Sequence, residues 1–169
     1  MKKAIILTLV LILMLSLTAC GDAGTYKKAQ SALEQGEYKQ TIALLDSIPN
    51  YDDTDKLRQQ ANAGVLTNIV EEAGGTEFCN IGSDGSFIKL DTNPSDIKDY
   101  YNPAYIQAVK DINIALGFSA SLWEKMGQTR AMDGRLTDEN EEFTVSWTYH
   151  PSSGMSALYE RKSSTSGSK

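Results

Sequence analysis

Phe143-Thr144-Val145-Ser146-Trp147-Thr148-Tyr149-His150 is the stretch that decides the fold. Apolar or aromatic residues alternate with hydroxyl residues and a final histidine, a strict period of two. Successive side chains of an extended chain point to opposite faces, so this is a strand. Phe143, Val145, Trp147 and Tyr149 are expected on a buried face, with a wet face opposite. Such a pattern belongs to an antiparallel sheet covered on one side. Pro151-Ser152-Ser153-Gly154 then turns the chain, and Met155 to Tyr159 returns as a hairpin partner. Further back, Phe78 to Ile81 and Phe87 to Leu90 flank Gly82-Ser83-Asp84-Gly85, a second hairpin signal.

Two helices are expected between these hairpins. Asn102-Pro103 supplies an N-cap followed by proline at the first helical position. Tyr105, Val109, Ile112 and Leu116 then share one face up to Gly117. Ser121 and Glu124 have capping-box spacing, which predicts a short helix through Trp123 and Met126 that stops at Gly127. Residues 128–141 are polar, contain Asp133-Gly134, and read as the longest irregular stretch. The order is therefore β-β-α-α-β-β over residues 76–162, a four-stranded antiparallel sheet with helices on one face of an α+β protein. The Ser/Gly-rich residues 163–169 read as a disordered tail.

Residues 26–75 read as a three-helix module. Tyr26, Ala29 and Leu33 line a first helix ended by Gly36; Tyr38, Ile42, Leu45 and Ile48 line a second ended by Pro49. A third, capped by Asp52 or Thr54, runs to Ala73 through Leu57, Ala61, Val65, Ile69 and Val70, then meets Gly74-Gly75. The string Ala32-Leu33-Glu34-Gln35-Gly36-Glu37-Tyr38, with Ile42, Leu45 and Pro49 behind it, resembles a single tetratricopeptide-type helical hairpin. The resemblance covers about residues 26–50 and departs from the family pattern at Thr41, where a small alanine is usual. One repeat cannot bury its own face, so the hairpin is expected to lean on the third helix.

The first twenty residues say where the chain goes. Lys2 and Lys3 precede an uncharged aliphatic run from Ala4 to Leu17, closed by Leu17-Thr18-Ala19-Cys20-Gly21, the layout of a secretory signal peptide. With cysteine after the small residues, it resembles a bacterial lipoprotein signal with its lipobox. The resemblance implies removal of residues 1–19, diacylglycerol on the Cys20 sulfur, and a lipidated tether over residues 20–25. Two acyl chains meet the requirement for stable anchoring at the extracytoplasmic face of the cell membrane. No other run in the sequence approaches the roughly 20 apolar residues of a membrane-spanning helix.

Charge and composition narrow the function. The whole chain carries 16 basic and 22 acidic residues. Cleavage takes Lys2 and Lys3 with it, so the mature balance is more acidic still. A surface of that sign repels nucleic acid and anionic headgroups. With Cys20 lipidated, Cys79 has no partner in the chain and reads as a small buried hydrophobe in Glu77-Phe78-Cys79-Asn80-Ile81. One histidine, His150, leaves no two-histidine zinc motif and only one base for a nucleophile. Ser152-Ser153-Gly154 lacks the strand-to-helix elbow of a reactive serine. Gly82-Ser83-Asp84-Gly85 lacks the lysine and helix of a phosphate loop. The acids at Asp52-Asp53-Thr54-Asp55 read as helix-start residues, and those at Asp138-Glu139-Asn140-Glu141-Glu142 as a solvated loop; neither has calcium-loop spacing.

No metal and no cofactor are expected. The candidate partner-binding residues are Arg130, Asp133, Arg135, Glu139 and His150, which would meet Trp147 and Tyr149 if residues 128–141 fold back over the sheet edge; arginines and exposed aromatics are what recognition patches use. The expected function is that of a non-catalytic, lipid-anchored binding or scaffolding protein of the bacterial cell envelope, its partner a protein or an envelope polymer. The alternative is a small envelope hydrolase using carboxylates of the 128–141 loop or His150.

Overall fold

The computed structural model describes residues 21–51, 53–97 and 101–163. Residues 1–19, read as a signal peptide, Cys20 and nearly all of the Ser/Gly-rich tail lie outside these. The fold is α+β, with an antiparallel sheet. The chain divides into two compact units, the first closing at Ala61 and the second opening at Asn62.

The first unit contains α1 (Asp22–Glu34), α2 (Tyr38–Asp46) and the opening turns of α3 (Thr54–Glu72). Helix α1 opens at Asp22, so residues 22–25, read as tether, form its first turn. Gly36, at φ +76°, makes the left-handed turn between α1 and α2 that a side chain would resist. Ala29, Leu45, Ile48 and Leu57 are buried together, flanked by Tyr26, Leu33, Leu44 and Tyr51. Leu57 is the contribution of α3, which the hairpin was expected to need. Thr41 is fully buried, and its hydroxyl donates to Glu37 O at 3.1 Å, so threonine fits where the repeat pattern takes alanine.

The second unit is built on a sheet of β1 (Cys79–Ile81), β2 (Phe87–Asp91), β3 (Leu136–Glu139), β4 (Phe143–His150) and β5 (Gly154–Arg161), in the order β1-β2-β5-β4-β3. All neighbours are antiparallel. The register sets Trp147 against Ala157 and Val145 against Tyr159, with Ile88 and Leu90 next along the same face. Onto that face pack α4 (Pro103–Ala115), α5 (Ala120–Gly127) and the last turns of α3, through Val109, Ile112, Leu122 and Val70. The opposite face carries Thr144, Ser146 and Thr148.

Three expectations need correction. The sheet has five strands, not four, because Leu136–Glu139 pairs with β4, Leu136 opposite Trp147 and Glu139 opposite Thr144. Residues 128–141 are accordingly ordered. A 3₁₀ turn spans Ala131–Asp133, and Asn140 closes the β3–β4 turn by accepting the Phe143 and Glu142 amides at 2.7 and 2.9 Å. The short helix is capped at Ser119 rather than Ser121. Finally, Tyr149 shares the apolar face but is 39 % exposed, since it borders an open cavity rather than close-packed core.

Gly85, at φ +70°, brings the β1–β2 turn against α3. A Cβ there would stand 2.4 Å from the Ala63 amide nitrogen, closer than any packing tolerates.

Candidate functional site

At the end of the sheet where β4 turns into β5, the second unit holds a half-open cleft of about 400 Å³, within the range of small-ligand sites. The start of α4 contributes Tyr101, Asn102 and Ile106; α5 contributes Trp123, Met126 and Gly127. The hairpin end supplies Tyr149, Pro151 and Met155, and Thr92 and Thr129 complete the wall. Among the described residues, not one lining side chain is charged. That is selective in a chain of 38 charged residues out of 169.

Each wall is held by the polar group behind it. Thr92 grips the hairpin: its Oγ1 accepts the Met155 amide at 2.8 Å and its own N–H donates to Met155 O at 2.9 Å. Asn93, buried next to it, donates from Nδ2 to Ile97 O and to Ser152 O, each at 3.0 Å, and accepts the Ile97 amide at 3.1 Å. The loop after β2 is thereby tied to the β4–β5 turn. Gly154 makes this possible, since at φ +72° a Cβ would lie 2.7 Å from Thr92 Oγ1. On the α5 side, Thr129 Oγ1 donates to Lys125 O at 2.9 Å and accepts the Trp147 indole N–H at 2.8 Å. Lys110 Nζ stands 4.9 Å from the centroid of the Trp123 ring, a cation–π contact. The Tyr101 and Tyr149 hydroxyls have no hydrogen-bond partner among the described residues.

The residues singled out from the sequence each have a hydrogen-bond or ionic partner. Arg130 and Asp133 satisfy each other, Nη2 to Oδ1 at 2.9 Å, while the Asp133 carboxylate accepts the Arg130 amide at 2.8 Å. The hydrogen bond from the Arg130 side chain, helped by the one from its amide, holds the Asp133 carboxyl below the usual carboxylate range. Arg135 donates to Ser146 Oγ at 3.0 Å on the outer sheet face. Glu139 pairs with Lys162 Nζ at 3.1 Å. It sits opposite Thr144, six residues along β4 from His150, roughly 20 Å at strand rise. His150 Nδ1 lies 2.7 Å from Ser152 Oγ and accepts the Ser152 amide at 3.2 Å. This is a turn contact between residues two apart, at an exposed hairpin tip. Trp147, 1 % exposed, is core.

Two further groups behave as their surroundings require. Burial pushes the Cys79 thiol up to about 12, and burial raises the Tyr159 phenol as its hydroxyl donates to Asn113 Oδ1 at 2.7 Å. Among the described residues no three His, Cys, Asp or Glu side chains are grouped as metal ligands, and no helix is long and apolar enough to cross a membrane.

Sequence reasoning missed the cleft, whose wall runs from Thr92 to Met155. The usable signals were Gly127 next to Trp123 and a strand whose last aromatic, Tyr149, abuts a turn. No protein-family model, curated protein or solved structure matches this chain.

Proposed function

We propose that the chain is a non-catalytic binding or scaffolding protein of the bacterial cell envelope, anchored at the extracytoplasmic face of the membrane by diacylglycerol on Cys20, and that its partner is a protein or an envelope polymer. The cleft is the observation that carries this reading. Its wall offers aromatic surface and neutral hydrogen-bonding groups and, among the described residues, no carboxylate or imidazole to move a proton near neutral pH. Leu17-Thr18-Ala19-Cys20 supports the anchor. The α1–α2 hairpin, tetratricopeptide-like in pattern, is a second candidate docking element.

The test pairs location with capture. Cys20→Ala should release the protein from membranes or leave it unprocessed. A photoreactive residue at Tyr149 should capture in intact cells a partner that one at Thr144, on the outer sheet face, does not. Membrane retention at unchanged mature size would overturn the anchoring. A hydrolytic activity abolished by His150→Gln would replace the binding reading with the hydrolase.

A further inference from the structure

We propose that the cleft at the β4–β5 end binds an uncharged pyranose unit of a glycan chain; this rests on the binding reading above and names its ligand class. Three features of the wall select that chemistry. First, none of the described lining side chains is charged, so this wall offers a charged ligand no direct ion pair for the hydration it gives up, and the chemistry favours a neutral occupant. Second, three aromatic side chains, Tyr101, Trp123 and Tyr149, border one cavity. The face of an aromatic ring is its electron-rich side, and a pyranose ring presents aligned C–H bonds, slightly positive, that pack against such a face.

Third, the polar groups sit among those aromatics. The phenols of Tyr101 and Tyr149 are without partners among the described residues. Each can donate and accept, as the equatorial hydroxyls of a sugar also do. A proline-rich peptide, the other ligand that aromatic grooves take, offers carbonyl acceptors but no matching donors on its proline residues. Lys110 stands over the Trp123 ring, and Gly127 adds no side chain beside its Cε2 and Cζ2 edge, where a Cβ would stand at 4.0 Å. The cleft is open on one side, which lets a polymer continue beyond the bound unit.

The chain contains two tryptophans, one buried at Trp147 and one half-buried at Trp123 in the cleft wall. Tryptophan emission therefore reports the site. The full chain, in a polyoxyethylene detergent that carries no sugar headgroup, is titrated with cellotriose, N,N′,N″-triacetylchitotriose and maltotriose. Polygalacturonate trimer serves as the charged control and oligoproline as the peptide control.

At least one neutral trisaccharide should shift the emission saturably, and the charged trimer should not. Gly127→Leu fills the cleft with a good helix former and removes no contact; it should weaken binding by roughly tenfold or more, as pocket-filling changes do. Tyr149→Phe, which deletes only the hydroxyl, should weaken it while leaving the thermal midpoint unchanged. The proposal is overturned if no neutral trisaccharide perturbs the emission, if Gly127→Leu binds as the parent does, or if oligoproline binds and the sugars do not. In the last case the binding reading survives. It fails separately, if Tyr149 captures nothing in cells.

Discussion

Replacing Trp147 by alanine should cost about 3–5 kcal/mol, the range for deleting a fully buried large aromatic. The indole is 1 % exposed and faces Ala157 and Leu136 across its two neighbouring strands. Its N–H is also the donor to Thr129 Oγ1 at 2.8 Å. Thr129→Val keeps the volume but leaves that N–H buried and unpaired, a loss of about 1–3 kcal/mol. Trp147→Phe removes the donor, and Thr129 still donates to Lys125 O, so combining the two should be less costly than their sum. The coupling expected is about 0.5–1.5 kcal/mol, the net worth of one hydrogen bond. Equilibrium urea unfolding followed by far-UV circular dichroism reads all four chains, as midpoint shifts at constant slope. A loss below about 1 kcal/mol for Trp147→Ala would refute the assignment of this residue to the core. Strict additivity would refute the Thr129 link.

Gly85→Ala should cost about 2–5 kcal/mol, from the left-handed backbone and the overlap with Ala63 together; a thermal midpoint within a degree or so of the parent would contradict the packing of that turn on α3. Cys79 should react with iodoacetamide at least about a hundredfold more slowly than free cysteine at pH 8, because burial keeps it a thiol; a Cys20→Ser chain isolates the measurement, and a free-cysteine rate would contradict it. Asp138 is held below the usual carboxylate range chiefly by the hydrogen bond from Lys125 at 2.6 Å. A lowered folded value means its contribution is present above the unfolded value and lost as pH falls through the folded one. Asp138→Asn should therefore flatten the acid limb of a stability–pH curve and leave its shape above pH 6 alone, and an unchanged acid limb would contradict this.

The parts of this fold that were legible in the sequence are those in which one local pattern suffices. The period of two in Phe143–His150 reports a strand covered on one face, and the Asn102-Pro103 pair reports the start of α4, whose Asn102 side chain accepts the Ala104 amide at 3.0 Å. Strand β3 was not legible. Leu136-Thr137-Asp138-Glu139 has a single apolar residue, and its extended form comes from pairing with β4 at the sheet edge, a tertiary effect. The pairings of the charged residues of 128–141 were not legible either. In the fold, Arg130 meets Asp133, Asp138 meets Lys125, and Glu139 meets Lys162. The cleft has no signature because four separate segments converge on it. Tyr149 illustrates the limit: the alternation places it correctly on the face of Trp147, but only the cavity it borders leaves it partly in water.

The most direct test of a glycan-binding cleft follows methionine methyl groups by NMR. The described residues include three: Met126 and Met155 line the cleft, and Met132 is 82 % exposed on the 3₁₀ turn outside its wall. Titration with the trisaccharide that shifts tryptophan emission should move the Met126 and Met155 signals together, on one saturation curve, and leave Met132 in place. Movement of Met132 alone, or no movement of Met126 and Met155 at saturating sugar, would contradict the assignment of the site.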